Sequence, residues 1–278
     1  MEDSNNIKRK FNYLINILKS KESVLVAFSG GVDSAVVTAA AKIALKNNVV
    51  AVTINSPLMP QEELEEAVKV AKEIGVEHVI LEGNELEDPN FACNPMNRCY
   101  FCKKNLAIKL KELAKKRGLK NIVDGSNIED LEDYRPGRIA LKEEGIYSPL
   151  IEAKITKREV REIAKILGLS IAEKPSSACL ASRIPYGQKI TLERIKRVAE
   201  AEKIVKEITR VKQIRVRDHE DIARIEVDPN ERKLFFNEKI MDEVSQRLQA
   251  LGFKFVALEL SGYIQGNMNK TIKNRENS

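Results

Sequence analysis

The sequence predicts an α/β fold, a parallel sheet with helices on both faces, followed by a small α+β C-terminal domain. Three observations point there. The stretch "VLVAFSGGVDSAVVTAAAKIA", residues 24–44, reads as a strand, a tight turn and a helix. Short β-branched runs alternate with amphipathic helical patterns through the first two-thirds of the chain, the mark of a sheet covered on both sides. After "KPSSACLASRIPYG", residues 174–187, that alternation stops and two strands with charged residues at every second position appear.

Element by element, strands are expected at 24–28, 49–54, 78–81 and 122–124, and helices at 6–19, 34–46, 61–74, 103–117 and 156–167. Domain limits of 1–187 and 188–278 follow from the change of pattern. In the second domain a helix near 191–207 leads into "VKQIRVRDHEDIARIEVD", a helix near 238–250 and the strand "FKFVALEL". Ile214 and Val216 share one strand face and Arg215 and Arg217 the other. Arg224 and Glu226 likewise oppose Ile225 and Val227, so one sheet face is expected to be buried and the other charged. The tail "NMNKTIKNRENS" is expected to fray.

The chain of 278 residues carries 47 Lys and Arg against 41 Asp and Glu, a net charge of +6, with 5% aromatics and no Trp. That balance suits a polyanionic small molecule better than nucleic acid, which calls for a stronger basic footprint and stacking residues. No run of apolar residues is long enough to span a membrane, and the N-terminus lacks an apolar signal region, so a cytoplasmic protein is expected. In that reducing compartment the four cysteines, Cys93, Cys99, Cys102 and Cys179, point to metal binding or catalysis rather than to disulfides.

Ligands of such sheets bind beyond the carboxyl ends of the strands, and the turns at 29–34, 55–57 and 125–130 all lie there. Gly30 and Gly31 let the backbone approach a ligand, Ser29 and Ser34 add hydroxyls, and the following helix aims its positive end at the same place. Asp33 would repel bare phosphate, which implies Mg²⁺ or a hydrogen-bonded backbone partner. The turn contains no lysine and matches neither the Walker pattern nor GxGxxG. A Walker lysine draws charge to the γ-phosphate. A cradle without one suits holding the β,γ-diphosphate as leaving group, with attack at the α-phosphate, an adenylate as product and pyrophosphate released.

"SGGVDS" resembles the PP-loop of the ATP pyrophosphatases, with an adenine nucleotide alpha hydrolase-like fold. "DGSNIED" resembles that group's second, glycine–hydroxyl turn. The resemblance implies ATP and Mg²⁺, with Gly125 and Ser126 facing the nucleotide, Asp130 helping to hold the metal, and Thr53 to Ser56 bordering the adenine. "RCYFC", "DYRPGR", "SPL", "KPSSACLASRIPYG" and "RVRDHEDIARIEV", in their order along the chain, are similar to the LarE family of sulfur-inserting enzymes of nickel-pincer nucleotide synthesis. The similarity runs from about residue 10 to 265. It implies a pyridinium-3,5-biscarboxylic acid mononucleotide as substrate, activated as an acyl-adenylate and then captured by sulfur as a thiocarboxylate. Thiolate or hydrosulfide is the strong nucleophile available near neutral pH.

By their types alone Cys99 and Cys102 fit half a zinc site, a redox pair, or a corner of an iron–sulfur cluster. Within the family some members have only the cysteine matching Cys179 and sacrifice its sulfur. The added Cys99 and Cys102 favour a 4Fe–4S cluster on Cys99, Cys102 and Cys179, its open iron carrying hydrosulfide from an external sulfur donor. Cys93 is unplaced. Cys179, Asp33, Arg215, Arg217 and Glu226 are the catalytic candidates. The arginines suit a bidentate hold on phosphate or carboxylate, against a solvated edge face as the alternative. Glu226 orients them or meets the pyridinium. Ser182 and Arg183 position the adenylate or a carboxylate, or cap their loop. Tyr134 and Arg135 stiffen their loop or touch substrate, and His78 is read as structural. A homo-oligomer is expected. A tRNA thiolation enzyme, an ammonia-using ligase and a nucleotide-binding regulator are the competing classes.

Overall fold

The structure is a computed structural model that describes residues 2–131, 135–175 and 178–264. Tyr134, residues 176–177 and the tail expected to fray lie outside the described residues. The chain divides into two compact units, one of residues 1–91 and 96–177, the other of residues 92–95 and 178–278.

In the first unit the chain runs α1 (Glu2–Lys19), β1 (Val24–Ala27), α2 (Val32–Leu45), β2 (Val49–Asn55), α3 (Gln61–Ile74) and β3 (Glu77–Glu82). It continues through the short α4 (Pro89–Ala92), then α5 (Arg98–Arg117), β4 (Asn121–Val123), α6 (Pro136–Glu143), α7 (Pro149–Glu152) and α8 (Lys157–Ile166). The sheet is parallel throughout, in the order β3-β2-β1-β4. Its strands read as unbroken apolar runs because both faces are covered. Val24, Val26, Val49 and Ala51 face a core shared with α1, α2 and α8, while Leu25, Val50 and Val52 face one built with α5 and α6. Helix ends follow local chemistry: Gly75 and Gly118 close α3 and α5 in the left-handed region. A Thr156–Glu159 capping box opens α8.

Two expectations change. Helix α5 begins at Arg98 rather than 103, with Asn97 at its N-cap, so Cys99 and Cys102 lie within its first five residues. Gly137 of α6 permits this start to be braced, since a Cβ there would lie 3.1 Å from the Cys99 carbonyl oxygen. Helix α6 is an element beyond those expected, opened by proline at its first turn.

The second unit contains α9 (Leu192–Thr209), β5 (Ile214–His219), β6 (Ile222–Val227), α10 (Glu238–Ala250) and β7 (Phe255–Leu258). Its sheet has the order β5-β6-β7, with β6 antiparallel to β5 and parallel to β7. Ile214, Val216, Ile225 and Val227 pack with residues of α9 and α10, as the alternation predicts. The opposite face carries the expected charges, but Arg215, Arg217 and Glu226 are buried rather than solvated. For two of them pairing explains it: Arg217 reaches diagonally across the strands to Glu226, and the opposite charges satisfy one another. Residues 178–187, placed with the first domain by composition, group with the second unit. Asn94 ties them there, its Nδ2 donating to the Ile184 and Pro185 carbonyls and its own carbonyl accepting from Gly187 N–H.

Candidate active site

The nucleotide cradle forms where β1 gives way to α2. Ser29 and Ser34 hydroxyls lie 3.2 Å apart, Gly31 N–H donates to Ser29 Oγ, and Ser34 Oγ donates to the Gly31 carbonyl. The α2 N-terminus has no side-chain cap, and the first N–H groups of a helix lack intrahelical acceptors. Two glycines make room. Gly30 has φ +73, and a Cβ on it would meet the Ala67 Cβ of α3 at 2.7 Å. A Cβ on Gly125 would meet Ser34 N at 2.7 Å. Gly30→Ala should therefore destabilise the first unit by about 1–3 kcal/mol through the backbone alone. Thermal denaturation checks this, and an unchanged midpoint would show that the turn relaxes.

The predicted acids meet through a residue that sequence reading missed. Asn127 donates its Nδ2 hydrogen to Asp33 Oδ1 at 3.2 Å, and its backbone N–H to Asp130 Oδ2 at 2.9 Å. Asp130 also pairs with Arg135 at 2.6 Å, which is the observed place of Arg135. Asp33 pairs with Lys157, the first residue of α8. A turn without lysine in sequence thus has one in space, with Lys157 as the counter-charge to Asp33. Mg²⁺ in nucleotide sites is held by one or two carboxylates plus phosphates, and Asp33 and Asp130 fit that donor set.

Other predicted residues look inward. Thr53 Oγ1 donates to the Phe28 carbonyl and lies 2.8 Å from His78 Nε2, while Ser56 Oγ donates to Glu85. His78, edge-on to Phe28, is therefore structural as read, and burial lowers its pKa. Ser126 Oγ donates to Asp124.

In the second unit Cys179 sits exposed at the start of a 3₁₀ turn, Leu180–Arg183. Arg183 is 2% exposed; its Nε and Nη2 form a fork on Glu202 at 2.7 and 3.0 Å. Its Nη1 donates to the Ala178 and Cys179 carbonyls. The residue holds the cysteine's turn in place, and Glu202, which also accepts from Val216 N–H, anchors that turn to β5. Arg217 gives Nε and Nη2 to Glu226 and Nη1 to the Ser182 carbonyl, so Glu226 orients Arg217. Arg215 lies 5.3 Å from the Tyr263 ring; burial, then repulsion from Arg183, lowers its pKa.

The four cysteines are thiols, with Cys99 and Cys102 in the first unit and Cys93 and Cys179 in the second. Among the described residues no group of three or more His, Cys, Asp and Glu side chains is placed to hold a metal. Nor, among them, is any helix long and apolar enough to cross a membrane.

A glycine-rich cradle at the end of a parallel strand, with paired acids behind it, defines an ATP-using enzyme of the PP-loop class. Residues 6–95 match the NAD synthase family. The chain is 39% identical over 263 residues to pyridinium-3,5-bisthiocarboxylic acid mononucleotide synthase of Lactiplantibacillus plantarum, covering 93% of each. It is 42% identical to an uncharacterised protein of Synechocystis sp., covering 96% of this chain and 99% of the other. It is 30% identical to an uncharacterised protein of Methanocaldococcus jannaschii, covering 93% and 94%. The chain belongs to the family of the pyridinium-3,5-bisthiocarboxylic acid mononucleotide synthase, the LarE family.

Proposed function

We propose that the chain inserts sulfur into a pyridinium-3,5-biscarboxylic acid mononucleotide at the expense of ATP. The observation that carries this reading is the 39% identity to the named synthase along 93% of both chains. Ser29, Gly30, Gly31 and Ser34 cradle the β- and γ-phosphates, and Lys157 leaves Asp33 for them. Asp33 and Asp130 would hold Mg²⁺, which would offset negative charge on the phosphates. Thr53 and Ser56 have their hydroxyls committed inward, so they border the adenine through backbone.

A substrate carboxylate oxygen attacks the α-phosphorus, forming an acyl-adenylate and releasing pyrophosphate. Sulfur then attacks the acyl carbon and expels AMP, leaving the thiocarboxylate. Arg215 holds substrate phosphate or carboxylate, with Arg217 set in place by Glu226 and with Ser182 and Arg183 keeping the Cys179 turn in position. Cys179 is common to both sulfur routes: sacrifice of its own sulfur, and a 4Fe–4S cluster that it would hold with Cys99 and Cys102 and that would supply hydrosulfide. The cluster is supported by the family resemblance and by the CxxC on α5.

The test is to purify the protein anaerobically, assay iron and sulfide, and count thiocarboxylates formed per chain with ATP and the pyridinium substrate. About four irons per chain and many products support the cluster. Iron-free protein giving one product per chain, with Cys179 converted to dehydroalanine, identifies the sacrificial route. Absence of thiocarboxylate in any form of the protein would overturn the proposed activity.

A further inference from the structure

Arg217 and Arg224 stand directly opposite one another on β5 and β6. Like charges in that position repel, so an acid has to serve both. Glu226, two residues from Arg224 on the same face of β6, is that acid. It serves them unequally. Oε2 accepts from Arg217 Nε and Nη2 at 3.0 and 2.6 Å. Oε1 accepts no hydrogen bond, and among the described residues it is the one buried side-chain oxygen or nitrogen in that condition. Arg224 Nη1 lies 3.0 Å from it, yet donates instead to Glu259 Oε2 at 2.6 Å, while Arg224 Nε donates to His219 Nε2 at 3.2 Å. An unfilled acceptor thus sits beside a donor engaged elsewhere. The two pairs also differ in surroundings. Arg217 and Glu226 are 5% and 0% exposed, whereas Arg224 and Glu259 are both 24% exposed.

We propose that Arg224 is a positioning residue, a reserve counter-charge that passes from Glu259 to Glu226 Oε1 when the substrate's phosphate or carboxylate draws on Arg217. This deepens the proposed sulfur-insertion reading and rests on it, since that reading sets a substrate anion at Arg215, on the same strand face as Arg217. An anion there competes with Glu226 for the Arg217 hydrogens. Glu226 resists, because a buried carboxylate that loses its partner is strongly destabilised. A cation already within reach offsets part of that loss, and Arg224 is in place to do so. What Arg224 gives up is a pair partly open to water, where Glu259 can be solvated again. Without Arg224, Glu226 keeps its hold on Arg217 and the substrate binds more weakly, although Arg224 itself touches no substrate atom.

The experiment measures calorimetric affinity for the pyridinium-3,5-biscarboxylic acid mononucleotide and, separately, for Mg-ATP, using the full chain and three variants. Arg224→Gln should weaken the mononucleotide about tenfold and leave Mg-ATP unchanged. Glu259→Gln removes the competing acid and should tighten the mononucleotide about threefold. Arg224→Gln combined with Glu226→Gln should restore wild-type affinity, because a neutral amide needs no counter-charge. A tenfold loss that persists in the double variant would overturn the inference, since Arg224 would then act on the substrate directly or through the fold. Weaker binding by Glu259→Gln would overturn it as well, and that surface substitution keeps a readout if Arg224→Gln fails to fold. Unchanged affinity in Arg224→Gln would overturn this inference alone. Wild-type protein that binds no mononucleotide would overturn the functional reading and this inference with it.

Discussion

Cys179→Ala protein should make no thiocarboxylate, a loss on the order of 10³-fold or more, while still converting ATP to AMP and pyrophosphate when the pyridinium substrate is present. The two halves of the result separate because the proposed chemistry has two steps. Activation of the carboxylate uses the cradle of the first unit, around Ser29, Ser34 and Asp33. Capture needs a sulfur nucleophile, and Cys179 is exposed at the head of a turn clamped by Arg183. Alanine in place of the thiol keeps the clamped carbonyls and removes only the sulfur. The same substitution at Cys99 or Cys102 divides the sulfur routes. A cluster route predicts a loss nearly as large at either position, and a sacrificial route predicts little change. Chromatography of nucleotides and acylated products reads both halves in one reaction. Full product formation by Cys179→Ala would remove this residue from the mechanism.

Arg217→Ala should destabilise the second unit by about 3–5 kcal/mol, because it removes both hydrogen bonds that a buried carboxylate accepts and leaves Arg224 as its one counter-charge among the described residues. Glu226 is 0% exposed and receives both Nε and Nη2 of Arg217 on Oε2. Its other oxygen, Oε1, accepts no hydrogen bond, although Arg224 Nη1 approaches to 3.0 Å. Loss of Arg217 also leaves the Ser182 carbonyl without its donor, beside the Cys179 turn. Urea denaturation should show the loss. Arg217→Ala combined with Glu226→Gln should recover part of it, since the orphaned charge is gone. Equal stability of the single and double variants would mean that the cost comes from the lost packing of the arginine stem.

The cradle was legible in the sequence because its parts are consecutive. An apolar run, two glycines and a hydroxyl-flanked acid fix a strand, a turn and a helix start whatever surrounds them. The parallel sheet was legible for a similar reason, since Val24 to Val26 and Val49 to Val52 alternate between two cores and must both be apolar. Lys157 was not, because it reaches Asp33 from 124 residues away, and nothing local in "ITKREV" marks it beyond a helix start. Asn127 lies inside a motif that was read, but its role as a bridge needs Asp33 and Asp130 brought together in space. The charged face of β5 and β6 was legible only in part. Alternation marks a charged face and leaves open whether it meets substrate or solvent, and only the fold shows Arg217 and Glu226 compensating one another and buried as a pair. Pairing across strands is a property of register, and register is not written in either strand alone.

In the proposed reaction a carboxylate oxygen of the substrate attacks the α-phosphorus of ATP and stays with the phosphate when sulfur enters. Substrate labelled with ¹⁸O in its carboxylates tests it most directly, with the recovered nucleotide read by mass spectrometry. The account predicts one ¹⁸O in the AMP for each thiocarboxylate formed. Unlabelled AMP, or ADP with orthophosphate in its place, would contradict it.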